Sequence, residues 1–227
     1  VYKRQTLLFW PFSNVRIAWN NVSVVDPLFT VPALILVICA IRSKKRLYTA
    51  LALTWCFLYL MLGFIQHERT YRAALQIANE RQHSPQKLTL KPSFGNLILW
   101  KAVYKHEGRY HVDAIRTLRT TTWCSGESIE VFDYDKHIPT LDKNSQQGID
   151  IERFRWFSQD YLGYDYQSQL VADIRYSMIP SQIRPMWGLR INPAKNQSEH
   201  AVWIASRNLD DEQLSLFKDM LTGEHCR

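Results

Sequence analysis

Two polar residues beside apolar segments are of types that could carry chemistry. Asp26 precedes the first such segment, and a carboxylate at membrane depth is costly enough to suggest a functional role. It is equally well placed to cap a helix. His67 follows the second segment, with Glu68 beside it, where an imidazole could reach a metal or transfer a proton. A solvated histidine at the membrane surface is the alternative.

Two further groups lie in the polar part of the chain. Asp133, Asp135 and His137 alternate, so in an extended segment they would present metal-ligand types on one side. A plain surface loop can carry the same spacing. Asp173 and Arg175 alternate on the polar face of a predicted strand and could instead form a structural salt bridge. The candidate catalytic residues are therefore Asp26, His67, Asp173 and Arg175.

Standard enzyme and metal motifs are missing from the sequence. There is no P-loop, GxGxxG or GxSxG, and no cysteine or histidine spacing typical of structural zinc. Of the four cysteines, Cys39 and Cys56 lie inside apolar segments, where a thiol behaves as a small hydrophobe. Cys124 and Cys226 could pair if their domain lies in the periplasm, an oxidising compartment.

Two apolar segments predict a transmembrane hairpin over residues 26–66. Residues 47–65 are 19 residues without a charge, which as a helix reach about 28 Å, close to the hydrocarbon thickness of a bilayer. Residues 28–41 form a shorter segment, with Asp26 as N-cap and Pro27 as first helical residue. This segment needs snorkelling by Arg42 and nearby lysines to span. A re-entrant segment is the alternative for 28–41, and a buried core helix for 47–65.

The positive charge is concentrated beside these segments. The net charge is +7, with four positive residues in the 42–46 turn and two at Lys3 and Arg4, which leaves 7 − 6 = +1 elsewhere. A nearly neutral domain offers no phosphate-binding footprint, so we expect no nucleic-acid partner. By the positive-inside rule the 42–46 turn is cytoplasmic and the soluble domain periplasmic. Three dispersed arginines beyond the second segment argue more weakly for the opposite orientation.

Beyond residue 66 the sequence is polar and mixed in charge. Helical spacing continues over 67–82 as a stalk, and prolines then mark a linker up to residue 91. Residues 92–227 are expected to form the soluble domain. Strands are predicted at 97–105, 109–118, 170–178, 186–191 and 200–206, the first two as a hairpin that turns at 106–108. Helices are predicted at 151–161 and at 209–221, the latter with acidic residues in its first turn. The predicted fold class is α+β, with an antiparallel sheet and a few helices after the transmembrane hairpin.

The first 25 residues are expected to be the interfacial remnant of a longer membrane half. Trp10, Phe12 and Trp19 suit a membrane–water interface, where amphipathic rings settle favourably. The chain starts at Val1 without a methionine or a signal peptide, so we expect the native N-terminus upstream. Residues 1–5 could be foreign to the native protein.

A series of short motifs in a fixed order gives a resemblance over nearly the whole chain. In chain order they are FWPFS at 9–13, DPLF at 26–29, PSFGN at 92–96, LW at 99–100, GRY at 108–110, FRWFS at 154–158, DIRY at 173–176 and WG at 187–188. Their order and spacing resemble the YdjM-like family of bacterial inner-membrane proteins, which are named as LexA-binding, metal-dependent hydrolases.

The resemblance implies the C-terminal part of an inner-membrane hydrolase whose full-length form holds a divalent metal ion. It places the metal ligands in the N-terminal membrane half, so they are expected upstream of Val1 and none carries over to this chain. This sequence contains no DNA-reading element that would correspond to the LexA-binding part of the family name. The alternative is a non-catalytic membrane-anchored domain that binds a lipid, an envelope component or a protein partner, and the abundance of Trp and Tyr favours it.

Overall fold

Two consecutive helices lead into two antiparallel sheets. The computed structural model describes residues 9–13, 19–206, 210–224 and 226. In chain order, its elements are α1 (Pro27–Ser43), α2 (Arg46–Glu80), β1 (Lys87–Pro92), β2 (Leu99–His106), β3 (Arg109–Thr117), β4 (Thr121–Glu130), α3 (Tyr134–His137), α4 (Gln146–Phe157), β5 (Leu162–Asp165), β6 (Leu170–Asp173), β7 (Trp187–Arg190), β8 (Val202–Ala205) and α5 (Asp211–Thr222). The α+β class is confirmed, with two sheets where one was expected.

Helix α1 begins where the sequence predicts. Asp26 is its N-cap and accepts a hydrogen bond from Phe29 N at 3.2 Å, while Pro27 is the first helical residue. This side-chain bond satisfies one of the orphan N–H groups of the first turn. The helix ends at Lys44, whose φ of 54° is left-handed. With 17 residues, α1 is an apolar helix that falls short of a candidate membrane span.

Helix α2 joins the predicted membrane segment to the predicted stalk without a break. Among the described residues it is the one helix long and apolar enough to cross a membrane, judged by length and composition alone. It has 35 residues, of which an 18-residue window has a mean hydropathy of 1.8. Spanning by α2 is therefore supported, whereas the two-helix transmembrane hairpin is not confirmed.

The end of α2 packs on the first sheet. Ala74 and Ile77 are buried there in one core cluster with Leu90 and Trp100. Ala78, one turn after Ala74, is also fully buried. Strand β1 lies within the segment predicted as a linker. The 67–91 region thus contributes a helix face and an edge strand to the core of the domain.

The first sheet has the order β1-β2-β3-β4, with every neighbouring pair antiparallel. Its β2–β3 hairpin turns at Glu107 and Gly108, which both have positive φ, 44° and 73°. Two consecutive positive φ values match the twist of the strands in a two-residue loop, so the predicted hairpin is confirmed. Strand β3 carries a bulge between His111 and Asp113.

The second sheet has the order β5-β6-β7-β8 and is also antiparallel. Helix α4 packs on it through Ile151 and Phe154, in a core that includes Val171 and Trp187. The strand predicted over 170–178 ends at Asp173. Beyond it the chain turns inward, and the side chains that were expected to alternate between core and solvent are instead nearly all buried or half-buried.

Helix α5 and a disulfide complete the domain. A capping box between Asp210 and Gln213 starts the helix, and Gly223 in the left-handed region ends it. The helix packs through Met220 on Leu99 of the first sheet. Cys124 of β4 is bonded to Cys226, with Cα atoms 4.5 Å apart. The pairing that the sequence left open is therefore formed in the structure.

Candidate functional site

A short irregular segment, residues 19–25, lies between α2 and the first sheet. The backbone of Asn21 crosses α2 at Gly63, where an added Cβ would lie 2.5 Å from the Asn21 oxygen. On the other side, Gly95 N donates to Val25 O at 3.2 Å. The close approach needs a glycine on the helix. The segment is thereby held at the point where the apolar part of α2 ends.

Segment 19–25 covers a cavity of about 210 Å³. The other walls come from the end of β1, the loop that follows it and the turn over residues 175–180. Apolar side chains surround its mouth, and Val24 and Phe94 are 77% and 63% exposed. Exposed apolar groups at the rim of a cavity typically mark a surface that meets a ligand, a partner or a membrane.

The floor of this cavity is basic. Lys91 of β1 and Lys101 of β2 are directly opposite each other in the sheet register and both line the cavity together with Arg175. Lys101 is only 3% exposed, and its Nζ donates to Ser177 Oγ and to Gln182 O, both at 2.7 Å. Burial lowers the pKa of Lys101 to about 7, against the opposing charges of Glu127 and Asp173.

The other two cations of the floor have different contacts. Lys91 donates to Asn20 Oδ1 of the covering segment, and its Nζ lies 5.2 Å from the ring centroid of Tyr176. Arg175 donates from Nε and Nη2 to the two oxygens of Asp173, at 2.9 and 2.7 Å. The covering segment is thus tied to the basic floor through Lys91.

Asp173 and Arg175, two predicted site residues, form an ion pair inside the protein. The sequence placed both on the polar face of a strand, and this is wrong, because each is only 3% exposed and β6 ends at Asp173. The salt bridge that was weighed for them is present. Arg175 also lines the cavity, so one of the four predicted residues belongs to the candidate site.

Asp26 and His67 lie outside the cavity lining. Besides capping α1, Asp26 accepts a hydrogen bond from the Tyr59 hydroxyl at 2.8 Å and so joins the two helices. The ring of His67 packs edge-on against Trp100 with centroids 5.8 Å apart. His67 is eight residues beyond Tyr59 on α2, or about 12 Å along the helix. The structure therefore shows a cap and a packed ring, with no shared site.

The Asp133 group does not form the extended ligand set that the sequence suggested. Asp133 is the N-cap of α3 and accepts from Lys136 N at 3.0 Å, so the segment winds into a helix. Asp135 pairs with Lys143 at 2.9 Å. In the described part of the chain, no group of three or more His, Cys, Asp or Glu residues could hold a metal ion. The metal expected upstream of Val1 stays a prediction.

Sequence reasoning missed a cluster of three histidines beside the Arg81–Asp113 ion pair. The ring centroid of His83 lies 4.3 Å from that of His106 and 4.6 Å from that of His111. The Tyr104 hydroxyl is 2.9 Å from His83 Nδ1. The hairpin was the one sequence signal that could have revealed part of this cluster, because its register puts Tyr104 opposite His111. His83 follows the end of α2 and reaches these residues only through the tertiary fold.

This cluster predicts that the protein loses stability as the pH falls below about 6.5. Burial and the positive charges of His83, Arg81, His106 and Arg109 lower the pKa of His111 to about 4, while the unfolded chain retains a pKa near 6.5. Between these two pKa values the unfolded state binds more protons than the folded state. The free energy of unfolding therefore decreases as the pH is lowered. We expect His111→Gln to remove about 1 kcal/mol of the loss between pH 7.5 and pH 5, after allowance for solvent screening of a half-buried ring.

Thermal unfolding at the two pH values measures this effect. His200→Gln is the matched control, because the His200 side chain is 68% exposed and lies outside the cluster. An unchanged pH dependence in His111→Gln would contradict the prediction.

A second, larger cavity of about 680 Å³ lies beside the disulfide. Its walls include Glu80, Asp219 and Glu224, together with Arg81. Glu80 ends α2 and is fifteen residues past Ile65, the end of the apolar segment, or about 22 Å further along the helix. This cavity is therefore remote from a membrane that α2 would cross.

No protein-family model matches the chain, and neither does a curated protein or a solved structure. The resemblance to the YdjM-like family stays a prediction. The local geometry of the cavity beside α2 is the basis for the function proposed next.

Proposed function

We propose that this protein is a membrane-anchored domain that binds an amphiphilic membrane component in the cavity beside α2. The observation that carries the proposal is the position of this cavity. Gly63 and Gln66 of α2 contact the two segments that bound it, residues 19–25 and the loop after β1. When residues 47–65 cross the bilayer, the mouth of the cavity lies at the level of the lipid head groups.

Exposed aromatic rings beside the cavity support this position. Trp19, next to the lining residue Asn20, and Phe94 are both more than half exposed, and rings with an apolar body settle at membrane interfaces. An amphiphile needs an apolar surface for its chain and a polar site for its head. The cavity offers both, with Val24 and Phe94 at its mouth and lysines on its floor.

The proposed location is the bacterial inner membrane, with the 42–46 turn in the cytoplasm and the domain in the periplasm. Two independent features support this orientation. Basic residues in short loops favour the cytoplasmic side, and disulfides such as Cys124–Cys226 persist in oxidising compartments. In this arrangement α1 is a second spanning helix, packed on α2 through a Trp55 Nε1 to Phe29 O hydrogen bond of 3.1 Å.

Binding fits the cavity better than metal-dependent hydrolysis does. The described residues that line it include hydroxyls and cations, but none of them is an Asp, Glu, His or Cys. Those four types are the usual protein ligands of catalytic metal ions. The metal-dependent hydrolase expectation therefore rests on the resemblance and concerns residues outside this chain.

Site-specific photocrosslinking in cells tests the binding function. With benzoylphenylalanine in place of Phe94, we expect irradiation to yield adducts whose mass increments correspond to lipid or another envelope amphiphile. Trp156 is the matched control, because it is an equally exposed aromatic residue on α4, away from the proposed membrane level. Adducts at neither position, or equally at both, would argue against an amphiphile in the cavity.

A further inference from the structure

We infer that the amphiphile bound in this cavity is a lipid with a phosphate-bearing, anionic head group, held chiefly by Lys101 with help from Lys91. This inference rests on the proposed function and adds the chemical class of the ligand. Two observations carry it: a buried lysine amine whose described hydrogen-bond acceptors are uncharged, and a second lysine directly opposite it in the lining of the same cavity.

The amine of Lys101 is buried, which lowers its pKa to about 7, and a bound anion would favour its charged ammonium form. Taking a charged amine out of water costs several kcal/mol unless it is paired. The two described acceptors of Lys101, Ser177 Oγ and Gln182 O, carry no charge. An ammonium has three N–H donors, so one donor is left to bind a ligand in the cavity.

Lys91, which is opposite Lys101 on the neighbouring strand, also favours a bound anion. Like charges directly opposite each other on a sheet are destabilising, yet Lys91 and Lys101 are paired in register and both are nearly buried. Ordinary sheet packing does not favour such a pair. An anion between two lysines converts their repulsion into two attractive interactions.

The two carboxylates that act on Lys101 through their charge, Glu127 and Asp173, have other hydrogen-bond donors. Asp173 accepts hydrogen bonds from Nε, Nη2 and the backbone N of Arg175. Glu127 Oε2 accepts from Ile183 N at 2.8 Å. Neither carboxylate is a described hydrogen-bond acceptor of the Lys101 amine.

Phosphate suits this arrangement because it has several acceptor oxygens and can be bound by single ammonium groups without the paired hydrogen bonds of an arginine. Lysine is a common phosphate-binding residue that acts as a compact charge, whereas the planar fork of Arg175 is already occupied by Asp173. The hydroxyls of Ser23 and Ser93 also line the cavity and can donate to further oxygens. The apolar mouth then accommodates the first carbons of the acyl chains.

Binding by the purified full chain in detergent tests the inference with three probes. They are short-chain phosphatidic acid, short-chain phosphatidylcholine and inorganic phosphate, measured by native mass spectrometry and by the shift in melting temperature. We expect phosphatidic acid to bind most tightly. Lys101→Met should weaken that binding about ten- to a hundredfold, the effect of one or two lost charge-assisted hydrogen bonds.

Matched variants separate a lost ligand contact from a damaged fold. Lys105→Met removes a lysine from the same strand outside the cavity lining and should leave phosphatidic acid binding unchanged. Without ligand, Lys101→Met should melt at the same temperature as the native chain or higher, because an apolar side chain of similar length is cheaper to bury. If Lys101→Met does not fold, Ser177→Ala provides a milder test and should also weaken binding.

Each outcome distinguishes the inference from the proposed function. Equal binding of both lipids, with no effect of Lys101→Met or Ser177→Ala, overturns the anionic head group, while crosslinks at Phe94 would still support the proposed function. Tight binding of inorganic phosphate without a preference for the lipid overturns the lipid source. Absence of both lipid binding and crosslinks overturns both proposals.

Discussion

Replacement of Asp173 by Ala should lower the free energy of unfolding by about 3–5 kcal/mol. The substitution leaves the guanidinium of Arg175 buried, with a 3% exposed side chain, and without its carboxylate partner. Removal of one member of a buried ion pair is among the costliest single changes in a folded domain. Thermal unfolding of the full chain in detergent should show a decrease in melting temperature of about 10 °C.

An exposed ion pair on α2 provides the comparison. Glu68 bonds Arg72 across one helical turn, and the two side chains are 47% and 77% exposed. Glu68→Ala should cost at most about 0.5 kcal/mol, because solvent screens such pairs. A loss at Asp173 no larger than this would mean that the Asp173–Arg175 pair is solvated. The same result would weaken the case for a water-excluding floor beneath the cavity.

Loss of the Cys124–Cys226 disulfide should lower the free energy of unfolding by about 2–5 kcal/mol. The two cysteines are 102 residues apart, so the bond removes much of the freedom of the unfolded chain. In the folded chain it fastens the end of α5 to β4, beside the contact of Met220 with Leu99. The double variant Cys124→Ser, Cys226→Ser and the native chain are compared by thermal unfolding.

Cys56→Ala, a change of a free cysteine in α2, is the control for altering a thiol without altering a cross-link. The redox state in cells tests the orientation as well. After acid quenching and blocking of free thiols, we expect Cys124 and Cys226 to react with a maleimide only once the protein has been reduced. Two free thiols, with a double variant as stable as the native chain, would argue against a periplasmic domain.

Features that depend on a few neighbouring residues could be predicted from the sequence. The N-cap at Asp26 with Pro27 behind it, the apolar run of α2, the 106–108 hairpin and the acidic start of α5 are all present. In each case the signal and the structure lie within one or two turns of the chain. Hydrogen bonds to nearby backbone groups and local backbone preferences decide such elements.

Where the prediction was wrong, a side-chain hydrogen bond determined which of two local backbone conformations the chain adopts. Residues 133–137 alternate as a strand would, but the Asp133 side chain bonds Lys136 N and starts a helical turn. The strand predicted from 170 stops at Asp173, whose carboxylate accepts the backbone N–H of Arg175. Strands β1, β4 and β5 carry too weak an alternation of polar and apolar residues to be recognised, because the packing of a strand against its neighbours, more than its own sequence, decides whether it forms.

The sequence by itself determined the two apolar helices α1 and α2, the α+β class and the identity of Arg175 as a residue of interest. Only the tertiary structure decided that Lys91 and Lys101 are opposite each other, that segment 19–25 covers them and that Arg175 joins them. These residues come from three regions up to 156 positions apart. Sheet register and the packing of segment 19–25 on Gly63 bring them together, and neither leaves a periodic trace in the chain.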